Sequence, residues 1–255
     1  MSNEDYVLLE WCYTPEVFFE EPVVVSREGV EIRIEGGIAT VKLEPESYDA
    51  EHRTREELHK VVMGYFKAEQ VMTHQAFTLE KPSVTKVDAD GRQGRTVFRE
   101  CREFVVIGDS VDFRITKADG SVVRDTRKER VDRNRKFREL CERLSDDWVL
   151  RRMLASYEGA VNNPEDEFVH LYEVRDTLST HFKGGAKACK ALRVPKKRWS
   201  RLGEMANTMP LRQGRHRGEH DELRTATVGE LNEARGLARE FIEAYVRWLD
   251  GGMGV

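Results

Sequence analysis

Hydrophobic and polar residues alternate along the first part of the chain, as in strands that turn one face to a core. Valines fill 23–25, and apolar residues recur at every second position from Val30 to Ile34. Gly29 and Gly36-Gly37 mark turns on either side of that run. The same reasoning predicts further strands at 38–43, 77–87, 96–106, 111–116 and 122–123.

One segment within this strand-rich region has helical spacing. Between about residues 49 and 72 the chain is rich in charged residues, and its apolar residues recur three or four positions apart. These apolar residues are Leu58, Val61, Val62, Tyr65 and Phe66. The first half of the chain is therefore predicted to be a small mixed domain, built of hairpins and one helix.

From about residue 126 onward the spacing is helical throughout and predicts no strand. Asn162-Asn163-Pro164 and Gly184-Gly185 interrupt the pattern as helix ends, and Pro195 suits the first turn of a helix. These signals predict helices at about 126–143, 146–161, 165–183 and 195–207, and a last one from 227 to the glycines at 251–252.

The last predicted helix has a wide apolar stripe, formed by Leu231, Ala234, Leu237, Ala238, Phe241, Tyr245 and Trp248. A stripe of this width is more than one layer of a helical bundle is expected to cover, which favours a homodimer.

These patterns together predict an α+β protein of two domains. Residues 1–125 form the mixed strand and helix domain, and residues 126–255 form an all-α bundle. The role of the first domain is open, and sensing a signal, regulating the second domain and selecting an RNA are all compatible with its pattern.

Composition narrows the class of protein. The charged fraction is 35%, the net charge is −4, and no run approaches the roughly 18 apolar residues that a membrane span needs. The acidic start, MSNEDYVLLEW, lacks the basic region of a secretory signal, and the four cysteines lack zinc-ligand spacing. We therefore expect a cytoplasmic protein with free thiols, without a metal or cofactor and without a membrane partner.

A local excess of positive charge stands out in this acidic chain. Residues 183–224 contain twelve lysines and arginines but only four acidic residues. Such a segment indicates affinity for the phosphate backbone of RNA. The residues predicted to bind RNA, with Trp199 stacking on an unpaired base, are Lys196, Lys197, Arg198, Trp199, Arg201, Arg212 and Arg217.

The candidate catalytic residues lie just before the last helix, in the sequence Arg215-His216-Arg217-Gly218-Glu219-His220. A guanidinium stabilises negative charge that develops on a phosphate, and an imidazole moves a proton near neutral pH. If Arg215 and His220 face one cleft, the chemistry that they suit best is cleavage of RNA without a metal.

This motif resembles the Arg–polar–x(3)–His signature of HEPN domains (higher eukaryotes and prokaryotes nucleotide-binding domains), with His216 as the polar residue. The surroundings are also similar, because Phe168-Val169-His170-Leu171-Tyr172-Glu173 opens a long helix and the amphipathic last helix follows the motif. The resemblance covers residues 144–250, and residues 1–125 resemble no family that we recognise.

The resemblance implies a helical bundle that dimerises, with the motif of both protomers lining one cleft. It also implies a metal-independent endoribonuclease, with roles in bacterial defence, toxin–antitoxin systems or RNA processing, and with an antitoxin or regulatory protein as a further partner. Arg215 would stabilise the transition state, His220 would act as general acid or base during attack by the 2′-hydroxyl, and His216 would orient the site.

Other residues have supporting or alternative interpretations. Glu173 or Asp176 is expected to hold Arg215, and Tyr172 is either a substrate contact or a core aromatic. His170 and Glu173 have a spacing that suits metal ligands, but two residues do not make a metal site. His52, His59 and His74 are predicted to be structural. The motif itself is either a catalytic segment or a surface loop in which Arg215 pairs with a carboxylate.

Two further functions remain open. The same bundle could hold RNA or a nucleotide without cutting it, or it could be a regulator whose basic segment faces an acidic protein. The sequence contains no phosphate-binding or dinucleotide-binding glycine loop and no nucleophile motif of a hydrolase, which disfavours those enzyme classes.

Overall fold

The computed structural model of the protein describes residues 5–27, 29–48, 53–87, 93–96, 112–117, 119–219 and 221–252. It is an α+β structure, as the hydrophobic pattern predicts. Contacts between residues divide the chain into two units, 1–66 with 77–135 and 67–76 with 136–255. The second unit therefore begins after residue 135 and takes in 67–76, whereas the sequence pattern places the boundary after residue 125.

The first unit is built on an antiparallel sheet. Its strands are β1 (Tyr6–Thr14), β2 (Val23–Arg27), β3 (Val30–Glu35), β4 (Ile38–Leu43), β5 (Thr78–Leu79), β6 (Ser83–Val87) and β7 (Gln93–Thr96). The order across the sheet is β2-β3-β4-β1-β6-β7, and the short β5 pairs with the end of β1. A separate hairpin joins β8 (Arg114–Thr116) to β9 (Val122–Asp125).

The central strand β1 shows why this sheet has a core on one face. Val7, Leu9, Trp11 and Tyr13 are buried and alternate with residues that are partly exposed, since successive side chains of a strand point to opposite faces. Helix α1 (Arg53–Thr73) contributes Val62, Tyr65 and Phe66 to the same core.

The second unit is helical. It holds α3 (Trp148–Asn162), α4 (Glu167–His181), α5 (Gly185–Leu192), α6 (Lys196–Asn207) and α7 (Val228–Gly252), while α2 (Thr126–Arg143) and α1 each contribute to both units. Helix α4 contacts α3, α5, α6 and α7 and so lies at the centre. Within the described residues after 126, the only β-type pairing is an isolated bridge between Leu211 and Arg224.

The apolar stripe of α7 is buried within one chain. Leu237, Phe241 and Tyr245 belong to the core of the helical unit, and Trp248 is 39% exposed. The expectation that this stripe exceeds what one bundle covers is therefore wrong, because helices of the same unit pack against it.

A buried polar group lies inside the helical unit. Arg235 donates to both carboxylate oxygens of Glu167, at 2.6 and 2.8 Å. His74 has its Nε2 at 3.4 Å from the Glu167 Oε1 and its Nδ1 at 3.3 Å from the Tyr157 hydroxyl. Burial, with a further contribution from the Arg235 charge, lowers the pKa of His74 to about 3. The neutral ring thus serves structure, as the sequence predicts.

Candidate functional site

The Arg-x(4)-His segment lies in the loop between α6 and α7, and this loop is closed at its base. The Arg212 N–H donates to the Arg224 carbonyl and the Arg224 N–H to the Pro210 carbonyl, both at 2.9 Å. The described part of 214–222 is irregular apart from a 3-10 turn, Arg217–Glu219. Chain ends that are tied together in this way make a compact loop, whose side chains are held at defined places.

Gly214 sets the position of Arg215. A Cβ at Gly214 would stand 3.1 Å from the carbonyl oxygens of both Ala206 and Leu211, which is a close approach. The next residue, Arg215, donates its N–H to the Ala206 carbonyl at 2.7 Å. The loop therefore folds back onto the end of α6, where a larger residue than glycine would force the backbone apart.

Arg217 fastens the loop to the start of α4. Its guanidinium donates to the Gly214 carbonyl at 2.9 Å, to the Glu165 carbonyl at 3.1 Å and to the Asp166 carboxylate. The hydrogen bond from Arg217 lowers the pKa of Asp166. The Nε and Nη2 donors of Arg217 are thus directed at protein acceptors and give it a structural role, while its predicted contact with RNA stays a prediction.

The Arg215 guanidinium lies between two residues of α4. It stands over the Tyr172 ring at 4.6 Å from the centroid, and its Nη1 is 3.8 Å from the Asp176 Oδ2. The side chain is 37% exposed. Of the two residues expected to hold Arg215, Asp176 lies near it, whereas Glu173 has its Oε2 at 3.3 Å from the Nδ1 of His170. The contact of Arg215 with Tyr172 was not expected from the sequence.

A pocket of about 240 Å³ opens beside Arg215. Its walls come from α3, α4 and the loop, and the lining residues are Trp148, Arg152, Glu173, Asp176, Thr177, Thr180 and Arg215. Two guanidiniums, two carboxylates, two hydroxyls and one indole meet in this space. The guanidiniums and hydroxyls of this charge-balanced lining can donate hydrogen bonds to a small polar group, and the indole offers a surface for a flat one.

Trp148 is the aromatic residue of this pocket, and sequence reasoning missed it. It is 54% exposed at the first position of α3, while Val149, Leu150 and Met153 form the buried face. Its place outside that apolar stripe is the signal that could have revealed its exposure.

Trp199 does not take the predicted role. The residue is 4% exposed, and its ring packs at 5.1 Å from the Phe241 ring. It shares the buried face of α6 with Leu202 and Ala206. Stacking of Trp199 on an RNA base is therefore corrected to a core position, because the indole has no free face.

The two histidines of the motif differ in what the structure describes. His216 is exposed, and its Nδ1 is 3.0 Å from the Glu219 Oε1. His220 lies outside the described residues. The meeting of Arg215 and His220 in one cleft thus stays a prediction.

Carboxylates of α7 compensate part of the basic segment. Arg201 forms two hydrogen bonds to Glu233, at 3.0 and 2.9 Å, and the Arg198 Nε donates to Glu240 at 2.6 Å. The hydrogen bond from Arg201 lowers the pKa of Glu233. The predicted RNA contacts Arg198 and Arg201 are thus engaged in ion pairs, which weakens any attraction for phosphate.

The remaining predicted RNA contacts are exposed. Lys196 and Lys197 lie in the first turn of α6, and Arg212 donates its Nε to the Leu223 carbonyl at 3.5 Å. These side chains leave a smaller basic surface than the residue count of 183–224 suggests.

The described residues also bear on metals and membranes. Within them, no group of three or more His, Cys, Asp or Glu side chains is placed to share a metal ion. Among the described helices, none combines the length and apolar character that crossing a bilayer requires.

Comparison of the chain with protein-family models, with curated protein sequences and with solved structures found no match.

Proposed function

We propose that the protein is a metal-independent endoribonuclease of the HEPN type, which cleaves RNA by attack of the 2′-hydroxyl on the adjacent phosphorus. The observation that carries the proposal is the Arg215 guanidinium at the rim of a polar pocket, held by Tyr172 and Asp176 and accompanied by an exposed Trp148. A cation and a stacking surface side by side are the two elements that a nucleotide needs.

Arg215 is proposed to bind the scissile phosphate. Its ion pair with Asp176 is long, at 3.8 Å, and both side chains are partly exposed, so the pair is weak. A phosphate entering the pocket would replace a loose carboxylate contact by charge-assisted hydrogen bonds. These bonds strengthen as negative charge develops in the transition state.

The proton transfers are assigned to the histidines of the motif. His220 would take the proton of the 2′-hydroxyl or give one to the leaving 5′-oxygen, and the exposed His216 would orient the site. The products are a 2′,3′-cyclic phosphate and a free 5′-hydroxyl. DNA is not cleaved by this route, because it lacks the attacking hydroxyl.

The test is incubation of the full chain with labelled RNA in EDTA, followed by analysis of the product ends. We expect cleavage with 2′,3′-cyclic phosphate ends, and none of DNA of the same sequence. Removal of a group that stabilises transition-state charge costs on the order of 100-fold or more in rate, so Arg215→Ala and His220→Ala should each reduce cleavage by about that factor.

Arg247→Ala is the matched control. Arg247 is an exposed arginine of α7 with an ion pair to Glu243, and its removal should leave cleavage unchanged. Wild-type rates in Arg215→Ala, or complete loss of cleavage in EDTA, would refute the proposed mechanism.

A second function is favoured by one observation on the pocket. Its lining includes arginines, carboxylates, threonines and a tryptophan. These residues suffice to hold RNA or a nucleotide, whereas cleavage also needs His220. A mobility shift of RNA that stays intact, lost in Arg215→Ala, would favour a non-catalytic binding module over the nuclease.

The biological setting follows from the same proposal. A HEPN-type nuclease would act as a dimer in bacterial defence or a toxin–antitoxin system, with an antitoxin or regulatory protein as partner. The sheet-containing unit would then sense a signal, restrain the nuclease or select its RNA.

A further inference from the structure

A second cavity, of about 510 Å³, lies in the sheet-containing unit. Its walls come from the first turns of α1 and from the segment before β6, and the lining residues are Arg55, Glu56, His59, Lys60, Lys81 and Pro82. Cavities of roughly 300–1,000 Å³ typically hold small molecules in proteins. Its size is therefore that of a small-molecule site.

The described lining is strongly basic. Arg55, Lys60 and Lys81 face a single carboxylate, that of Glu56, so two positive charges are in excess. Within the described part of the chain, none of these three cations forms an ion pair. This contrasts with Arg198 and Arg201 of the helical unit, which α7 neutralises. Uncompensated cations around a cavity attract an anionic ligand.

His59 supplies a directed donor in the same cavity. The Trp11 Nε1–H donates to the His59 Nδ1 at 2.9 Å. An indole nitrogen only donates, so Nδ1 must accept and the ring hydrogen must sit on Nε2. Trp11 is buried in β1 and its ring stacks on the imidazole, which fixes the ring orientation.

The state of this imidazole is also defined. Burial lowers the pKa of His59 below its usual 6.5. At neutral pH the ring is therefore neutral, and the hydrogen bond that it can offer to a ligand comes from Nε2–H.

We propose that this cavity binds a phosphate-bearing small molecule of about mononucleotide size. The phosphate would be held by Arg55, Lys60, Lys81 and the Nε2–H of His59. A phosphate monoester carries about −1.5 to −2 charges on three acceptor oxygens. Its charge matches the excess of two positive charges, and each oxygen can accept from one or more of the four donor groups. A monocarboxylate offers half that charge, and inorganic phosphate alone is small for the volume.

The experiment is calorimetric titration of the full chain with adenosine 5′-monophosphate as the probe. We expect the nucleotide to bind and adenosine not to bind measurably. Succinate, a dianion without a phosphate, should bind more weakly than the nucleotide. Hydrogen bonds to charged groups are worth roughly 1.5–3 kcal/mol, so Arg55→Ala and Lys81→Ala should each weaken binding about tenfold or more.

Lys86→Ala is the matched control, because Lys86 is an exposed lysine of β6 in the same unit but not in the lining. It should bind the nucleotide like the wild type, and thermal melting of all variants checks that they are folded. No binding of the nucleotide, equal binding of adenosine or succinate, or unchanged affinity in both Arg55→Ala and Lys81→Ala would overturn the proposal.

Discussion

At the scale of single residues, two tryptophans show that chain neighbours do not decide exposure. Trp199 stands among lysines and arginines, yet it is buried against Phe241. Trp148 is followed by apolar residues, yet it is exposed in the pocket beside Arg215. The exposure of each tryptophan is decided by the side of the helix on which it lies. The stacking role that the sequence suggests for Trp199 therefore passes to Trp148 in the proposed function.

The proposed stacking predicts the effect of removing the indole. Base stacking on an aromatic side chain is worth roughly 1–3 kcal/mol, so Trp148→Ala should weaken RNA binding about 5-fold to 150-fold. Trp148→Phe should retain most of the affinity, because the aromatic face remains. Fluorescence anisotropy of labelled RNA measures both variants, and an unchanged affinity of Trp148→Ala would exclude a stacking role.

At the scale of elements, the end of α1 is held in the helical unit by a buried polar group. His74 follows α1, Glu167 opens α4 and Arg235 comes from α7, so three distant segments meet at one carboxylate. Because burial keeps His74 neutral, protonating it in the folded state is costly.

The lowered pKa of His74 predicts how the free energy of unfolding depends on pH. The pKa of His74 is about 3 in the folded chain and near 6.5 in the unfolded chain. Between these values the unfolded chain binds one more proton, so the free energy of unfolding falls as the pH falls. The contribution of His74 to that loss is about 1.6 kcal/mol from pH 6.5, where the unfolded His74 is half protonated, to pH 5.

Urea denaturation at several pH values tests this expectation. His74→Gln keeps a hydrogen-bonding side chain but does not titrate, so its stability should fall less than that of the wild type between pH 6.5 and 5. Parallel decline in the two proteins would show that His74 does not cause the loss.

At the scale of the whole molecule, ion pairs with α7 reduce the net positive charge that residues 183–224 present to a ligand. The excess of lysine and arginine in 183–224 is a count along the chain, whereas the Glu230, Glu233 and Glu240 carboxylates of α7 pair with it in space. The pairing with Arg224 lowers the pKa of Glu230 to about 2, so this carboxylate is ionised at neutral pH. RNA affinity in the proposal then depends on a few exposed cations and the pocket.

The proposed dimer is also a property of the whole molecule. Since α7 buries its apolar stripe within one chain, that stripe no longer favours association, and the dimer follows from the HEPN-type proposal alone. Light scattering at micromolar concentration should then yield twice the chain mass of 29.5 kDa. A mass of one chain would contradict a cleft shared by two protomers.

The helical elements were predictable to within a few residues because each has a strong period. Helix α2 has the predicted bounds, 126–143, and α7 begins one residue after the predicted start. Helix α5 was missed, because Gly184-Gly185 indicates a helix end, whereas Gly184 has a φ of 127° and α5 begins at Gly185. The central strand β1 was not singled out, since its partly exposed face also contains Leu8 and Cys12.

Part of the candidate site was predictable as well. Asp176 was expected to hold Arg215 and lies near it, because a long helix beside the motif presents one face to it. The contact of Arg215 with Tyr172, one turn earlier on that helix, was not expected. Trp148 and Arg152 were missed, since they lie on α3, more than sixty residues away along the chain.

The sequence by itself determined the α+β class, most of the helices and which residue types are present for phosphate chemistry, because periodicity and side-chain chemistry are local properties. Only the tertiary structure decided that Arg217 fastens the loop, that Trp199 is core and that α7 neutralises Arg198 and Arg201. Burial and ion pairing depend on which distant segments pack together, and this packing cannot be predicted from the local sequence pattern.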